Sequence, residues 1–376
     1  MKHTLDAANT NSLNIFDVLN CFYQKDVIAN MFATFINYSS EFALQFLRDF
    51  STLHVEINAN TEVRARSRMA LGKSMGIIDL VLLVVEDNQI NHIVVIENIL
   101  NPDENGKHTE SLQTDTALEN LCTKLGVAHT TVFVDYVILT LDPFGKDQVK
   151  NIHIVDYRTF LQDIWANLFT NESLKQLFLN FQEMLERFYY VADMSLEEHA
   201  ITILANPDLD EQQRHLLFKK LICQINVAEQ DVIEMDALQG AEEFKAIARI
   251  AKPEWVIEYG HVYLECVLDL LHPFEQNGEI AFLIYVYYQA NSKRKFPEVN
   301  EIRDWMHQLV SEEKEILPQM HVGKLHTSHA VVQISFADIH TFNDLKDLLE
   351  YSMEWLTPII VKTFGKVSEK NVIHRN

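Results

Sequence analysis

Two periodicities alternate along the chain. Residues 14–50, NIFDVLNCFYQKDVIANMFATFINYSSEFALQFLRDF, carry Phe32, Phe35, Ile36, Phe42, Phe46 and Phe50 at helical spacing, which predicts two helices parted near 37–40. LHVEINANTEVRAR then alternates as a strand does and leads into a basic bend. In 77–99, IIDLVLLVVEDNQINHIVVIENI, two apolar runs flank Asp87 and Asn88, the pattern of a β-hairpin. A polar loop, NPDENGKHTE, precedes a helix over roughly 110–125, and TVFVDYVILTL reads as a buried strand closed by the turn signal DPFG. These elements make an α/β core that ends near residue 145.

After a short strand at NIHIVDY, the pattern predicts helix through about residue 270, clearest in LQDIWANLFT, SLKQLFLNFQEMLERFYYVA and DEQQRHLLFKKLICQI. Ser195, Leu196, Glu197 and Glu198 have the spacing of a capping box. EIAFLIYVYYQA and AVVQISFADI read as strands, with a helix near 298–315 between them and another over 342–356 after them. The C-terminal third is therefore expected to be a second α+β unit. No internal repeat or low-complexity tract interrupts the chain.

The hairpin carries the candidate chemistry. Asp79 and Glu97 are equidistant from position 88, so a regular antiparallel pairing sets them opposite one another with Cβ atoms about 4.5–5.5 Å apart. Two acids that close repel unless a proton or a cation intervenes. Mg2+ prefers carboxylate oxygens, and it activates water and neutralises phosphoryl oxygens. The plainer alternative is that both acids end their strands at the solvent boundary. A slip of one residue would put them on opposite faces.

Composition narrows the setting. A chain of 376 residues, 48% hydrophobic with 10 Gly and 8 Pro, buries a sizeable core and has room for two domains or one with a large appendage. Its apolar runs, as around LVLLVV and IIVKTF, fall far short of the roughly 20 residues a spanning helix needs, and no membrane partner is expected. MKHTLDAANTNS has no apolar stretch before a small-residue cleavage site, so no secretory leader is expected. Cys21, Cys122, Cys223 and Cys266 form no CxxC pair and each sits in an apolar segment, as reduced core residues of a cytoplasmic protein would. The formal charge of -23 opposes nucleic-acid binding by the surface as a whole, because counterion release requires Lys and Arg. Arg64, Arg66 and Arg68 could meet phosphate locally, although a solvated basic strand is the commoner explanation of such a pattern.

At the hairpin the sequence resembles the PD-(D/E)XK nuclease superfamily, in particular a bacterial branch with an NIFDVL-like opening and an IDL…IEN hairpin. The matching residues are Asn14-Ile15-Phe16-Asp17-Val18-Leu19, Lys25-Asp26-Val27, Ile78-Asp79-Leu80 and Val95-Ile96-Glu97-Asn98. The likeness follows the order of elements into IAFLIYVYY and LKDLLEYSMEWLTPII, but only the hairpin is specific. It implies a restriction-endonuclease-like core, a central mixed sheet flanked by helices, over 1–160. An acidic helical insertion over 161–272 and a C-terminal α+β unit over 273–376 complete the expected organisation. It also implies that Asp79 and Glu97 are the metal-binding acids, that Asp26 is a third acid from the first helix, and that Mg2+ and DNA are cofactor and partner.

The resemblance breaks at one position. The family's catalytic lysine stands two residues after the second acid, where this chain has Ile99, and isoleucine can neither orient water nor stabilise charge on phosphate. In this superfamily the lysine can enter from elsewhere, which makes Lys73 and Lys107 the candidates for a relocated one. The Gln and Tyr of the family's next helix correspond to Ser111 and Asp115, with Gln113 out of register. Asn37-Tyr38-Ser39-Ser40 stands where the family has a polar stretch with His and Gly. Three losses around one site favour a nuclease-like binding or regulatory module, with an acidic surface suited to a basic partner protein, over an active Mg2+-dependent endonuclease.

Other chemistries have no support. The 16 histidines form no HExxH or HxH, and His321, His326 and His329 read as a polar loop. There is no phosphate-binding glycine loop, nucleophile elbow or dinucleotide fingerprint.

Overall fold

The computed structural model describes residues 14–51, 60–72, 76–100, 113–142, 152–196, 201–225, 232–239, 244–257, 260–273, 282–290, 320–323, 330–336 and 340–373, with single helical positions at 304, 308 and 312. The chain splits into two compact units, Met1–Tyr190 and Val191–Asn376. That division falls inside one long helix and not at residue 160 or 272.

The N-terminal unit opens with α1 (Ile15–Leu19), α2 (Lys25–Tyr38) and α3 (Ser40–Phe50). The expected pair of helices is present, preceded by one extra turn. Asn14 caps α1 by accepting the Phe16 N–H, and Asn20 stops it in the left-handed region at φ 46°. Ser39 alone parts α2 from α3, and its hydroxyl accepts the Phe42 N–H at 3.2 Å. Then follow β1 (Glu62–Gly72), β2 (Gly76–Glu86), β3 (Gln89–Ile99), α4 (Asp115–Leu125), β4 (Phe133–Thr140), β5 (His153–Asp156), α5 (Asp163–Ala166) and α6 (Glu172–Asp193). The basic residues expected in a bend belong to the strand β1 itself.

The five strands form one mixed sheet in the order β1-β2-β3-β4-β5. β1, β2 and β3 are antiparallel, and β4 and β5 run parallel to β3. Val81, Leu83 and Val85 of β2, with Ile93 and Val95 of β3, pack against Ala117, Leu121 and Cys122 of α4. The alternate residues Leu80, Leu82, Val84, Val94 and Ile96 are equally buried, and α2 lies against β1, β2 and β3. A sheet covered on both faces explains why these strands read as unbroken apolar runs.

On the α2 side the core is aromatic. Phe32 sits within 6.3 Å of the rings of Phe35, Phe42, Phe46, Tyr157, Phe160 and Phe181, centroid to centroid. β1 ends the described sheet, and α2 lies along it. The Asn37 amide donates to the Ala65 carbonyl at 3.0 Å and accepts the Ala65 N–H at 2.8 Å.

The C-terminal unit corrects the sequence reading. Helix was expected through residue 270, yet 232–269 holds β6 (Val232–Gln239), β7 (Phe244–Ala251), β8 (Val256–Ile257) and β9 (Gly260–Asp269). With β10 (Phe282–Ala290), β11 (Met320–Gly323) and β12 (Ala330–Phe336) they form an antiparallel sheet ordered β11-β12-β10-β9-β7-β6, with β8 beside β9. The physical reason is a period of two. Phe244, Ala246, Ala248 and Ile250 of β7 and Val262, Leu264, Cys266 and Leu268 of β9 all enter the core.

Helix α7 (Glu211–Cys223) and helix α8 (Phe342–Ile373) contribute to that same core. Asp210 and Gln213 make the capping box of α7, whereas the one expected at Ser195 runs into residues outside those described. The helix expected near 298–315 also lies largely outside them, as do His326 and His329, while His321 belongs to β11. On the sheet face away from this core, Arg249 Nε donates to Glu265 Oε2 at 2.9 Å. The rings of His261, Tyr263, Tyr287 and Tyr285 form a row beside that pair. Cys21, Cys122 and Cys266 are buried as expected, but Cys223 is exposed. No described helix is long and apolar enough to cross a membrane.

Candidate functional site

The carboxylate pair depends on a register that the sequence obtains by an indirect route. Asp87 and Asn88 both take positive φ, 48° and 63°, as the central residues of a two-residue hairpin turn do. Glu86 therefore pairs with Gln89, and Val85 with Ile90. Continued regularly, that ladder would set Asp79 opposite Ile96 and turn Glu97 to the other face. A bulge intervenes at Asn91, after which Val84 pairs with His92 and Leu80 with Ile96. That ladder ends at Leu80 with Ile96, one step before Asp79 and Glu97. The side chain of Asn91 secures the bulge by donating to Glu86 Oε2 at 3.1 Å.

Deleting Asn91 should accordingly leave the chain folded, because the ladder can run straight from Val85↔Ile90 to Val84↔His92. A stability loss of about 1 kcal/mol is expected, the worth of one hydrogen bond. Thermal melts of the purified variant test this, and an insoluble or unfolded product would show the bulge to be indispensable.

Both acids are buried, Asp79 at 8% and Glu97 at 5% relative exposure, so the boundary-of-solvent alternative does not describe them. Past Leu80 the two strands exchange a backbone bond for a side-chain one: Asp79 Oδ2 accepts the Asn98 N–H at 2.8 Å. Asn98 is fully buried, and its Oδ1 accepts the Tyr157 hydroxyl at 2.7 Å. Tyr157 lies among Phe32, Phe160 and Phe181. Burial, with the charge of Asp79 adding to it, holds the phenol well above its ordinary pKa, so it remains a donor across the whole neutral range. The chain Tyr157–Asn98–Asp79 thus fixes one carboxylate from the far side of the sheet.

Around the pair, the carboxyl ends of the parallel strands supply little positive charge. Ile99 is half-buried and level with Thr140 on β4, which is level with Asp156 on β5. Asp156 accepts the Tyr189 hydroxyl and, at 2.9 Å, the Arg158 N–H. Its carboxyl is pushed up by burial, against the pull of those donors. The Arg158 guanidinium lies 3.8 Å from Asp156 and 4.7 Å over the Tyr189 ring, which ties it to the end of β5.

The other expected site residues fall elsewhere. Asp26, on the first turn of α2, forms an ion pair with Arg68 of β1, and both are about half exposed. Among the described residues no group of three or more His, Cys, Asp or Glu could hold a metal ion. The donor set the resemblance implies, two acids and a third from the first helix, is therefore not assembled. Lys73, Lys107 and Ser111 lie outside the described residues, while Asp115 is exposed on the first turn of α4 and Gln113 precedes that helix.

Asn98 and Tyr157 escaped the sequence reading. Asn98 was visible only as part of the IEN motif, and Tyr157 is 59 positions away from it with no local pattern to link them. No family model, curated protein or solved structure matches this chain. What the structure defines is a class of architecture: an α/β unit whose mixed sheet buries two carboxylates, Asp79 on β2 and Glu97 on β3, the strand that the parallel β4 adjoins.

Proposed function

We propose that this is a nuclease-like protein of the PD-(D/E)XK type, with a restriction-endonuclease-like core whose catalytic centre has degenerated. It acts as a binding or regulatory module in bacterial DNA metabolism or anti-phage defence. One observation carries the reading. Asp79, the first acid of the motif, spends an oxygen on the Asn98 N–H, and so serves as a structural acceptor that closes the hairpin. Ile99 supports it, since an apolar side chain stands where charge on phosphate would need a cation. Asp26 supports it too, because its partner is an arginine.

The second reading, an active Mg2+-dependent DNA endonuclease with a relocated lysine, draws on the burial of two acids on neighbouring strands, which is costly to keep without a use. One experiment separates the two. Wild-type protein and an Asp79→Ala control are incubated with supercoiled plasmid, linear duplex and single-stranded DNA in Mg2+ or Mn2+. No cleavage above the control is expected with either metal. Cleavage by the wild type that disappears in Asp79→Ala would overturn the degenerate reading and establish the enzyme, whereas cleavage that persists in the control is contamination.

A further inference from the structure

We infer that the far end of the β1–β2 hairpin is an arm hinged at the rung Arg68–Asp79, and that Asp79 is the tie that closes the arm onto β3. The hinge follows from backbone geometry and does not need the nuclease-like reading.

It shows as a change of face. In a regular strand residues i and i+2 share a face, and their directly opposed cross-strand partners share it with them. Ser67 pairs with Leu80, and the Ser67 hydroxyl donates to Asn30 on α2. Two positions on, Met69 pairs with Ile78, and both belong with Val81 and Leu83 to the cluster that packs on α4. Both strands therefore turn over within one rung, and Arg68–Asp79 is the rung missing between those two pairs. Arg68 has the backbone that does this. Its φ is 53°, a left-handed value that Cβ sterics disfavour for L residues. Past the rung lies the arm, Met69–Gly72 against Gly76–Ile78, and by then the β2–β3 ladder has ended at Leu80 with Ile96.

Two side chains hold the hinge. Asp26 forms an ion pair with Arg68, which keeps that side chain on the α2 side of the sheet. Both partners are about half exposed, so the latch is a light one. Asp79 Oδ2 accepts the Asn98 N–H at 2.8 Å, and this bond ties β2 to β3 just beyond their last rung. Asn98 is fully buried, so its N–H is shut off from water while the arm is closed. One carboxylate oxygen cannot close the arm and serve a ligand at once. Whatever took that oxygen would loosen the arm, and whatever loosened the arm would free Asp79.

The test is amide hydrogen exchange by NMR on the labelled full-length protein, reading Asn98 against Leu82 and Val94 in the middle of the sheet. Arg68→Val should speed exchange at Asn98 at least about tenfold, because a β-branched residue rejects positive φ. Leu82 and Val94 should stay within about twofold of wild type, since the hinge opens only the arm. Arg68→Gly should exchange no faster than wild type, because glycine takes the left-handed backbone without strain. Asp26→Asn should speed Asn98 about two- to fivefold in the arginine protein and not at all in Arg68→Gly, where no strain needs a latch. General damage to the fold does not produce that dependence on residue 68, so the Asp26 comparison decides the question even where Arg68→Val fails to fold. Exchange at Asn98 that is unchanged in Arg68→Val and Asp26→Asn, or as fast in Arg68→Gly as in Arg68→Val, overturns the hinge. An Asp26→Asn effect of equal size in Arg68→Gly does the same. Each of these results leaves the Asp79–Asn98 bond, and the reading built on it, in place.

Discussion

Replacing Phe32 by alanine should cost about 3–5 kcal/mol, enough to unfold much of a marginally stable domain at room temperature. The ring is fully buried. It touches one neighbour on its own helix, two on α3, two in the turn at 157–161 and one on α6, so a void there loosens every element of the aromatic face at once. Urea unfolding followed by near-ultraviolet circular dichroism reads the change directly. A loss below about 1 kcal/mol would mean that the surrounding rings collapse into the space, and that the cluster is less rigid than its edge-to-face contacts suggest.

The second large effect concerns Asp79 and separates a structural acid from a catalytic one. In Asp79→Ala the fully buried Asn98 loses the acceptor of its N–H, a loss of about 1–3 kcal/mol. In Asp79→Asn the side-chain carbonyl can still accept that bond, and it also removes a buried charge. The asparagine variant should therefore match or exceed wild-type stability at pH 7, with alanine well below both, in chemical-denaturation midpoints at constant m-value. If alanine proves as stable as asparagine, the Asp79–Asn98 bond does not hold the hairpin end, and the main support for a degenerate centre is gone.

The hairpin was legible because its signal is arithmetic. Counting outward from Asn88 pairs Asp79 with Glu97, and the ladder runs to Leu80 with Ile96, one step short of that pair, with the turn centred half a residue earlier and Asn91 making up the difference. A bulge leaves no mark in an apolar alternation that is buried on both faces, so only the sum could be read. The helices of 14–50 were legible for a similar reason, since phenylalanines at three- and four-residue spacing admit one face.

The strands of 232–269 were not legible. FKAIARIA is rich in alanine, and its inward residues are small, so its period of two is faint and helical propensity dominates. For the site, the sequence named the two acids and the vacant lysine position. It could not disclose that Asn98, whose N–H Asp79 accepts, is held by a tyrosine just past β5, or that Asp26 is held by Arg68. Both are tertiary pairings between segments with no shared pattern.

One contact on the far side of α2 bears on how the molecule behaves in company. A terminal strand offers its unpaired N–H and C=O groups to any extended chain that comes alongside, and neighbouring copies can grow a shared sheet that way. Midway along β1, the Asn37 amide fills both of the outward bonds of Ala65, as a foreign strand one residue long would. An approaching chain finds its template already occupied there, and it meets arginines on either side that must give up water to let it in. That edge is thereby closed, at its middle, to another polypeptide.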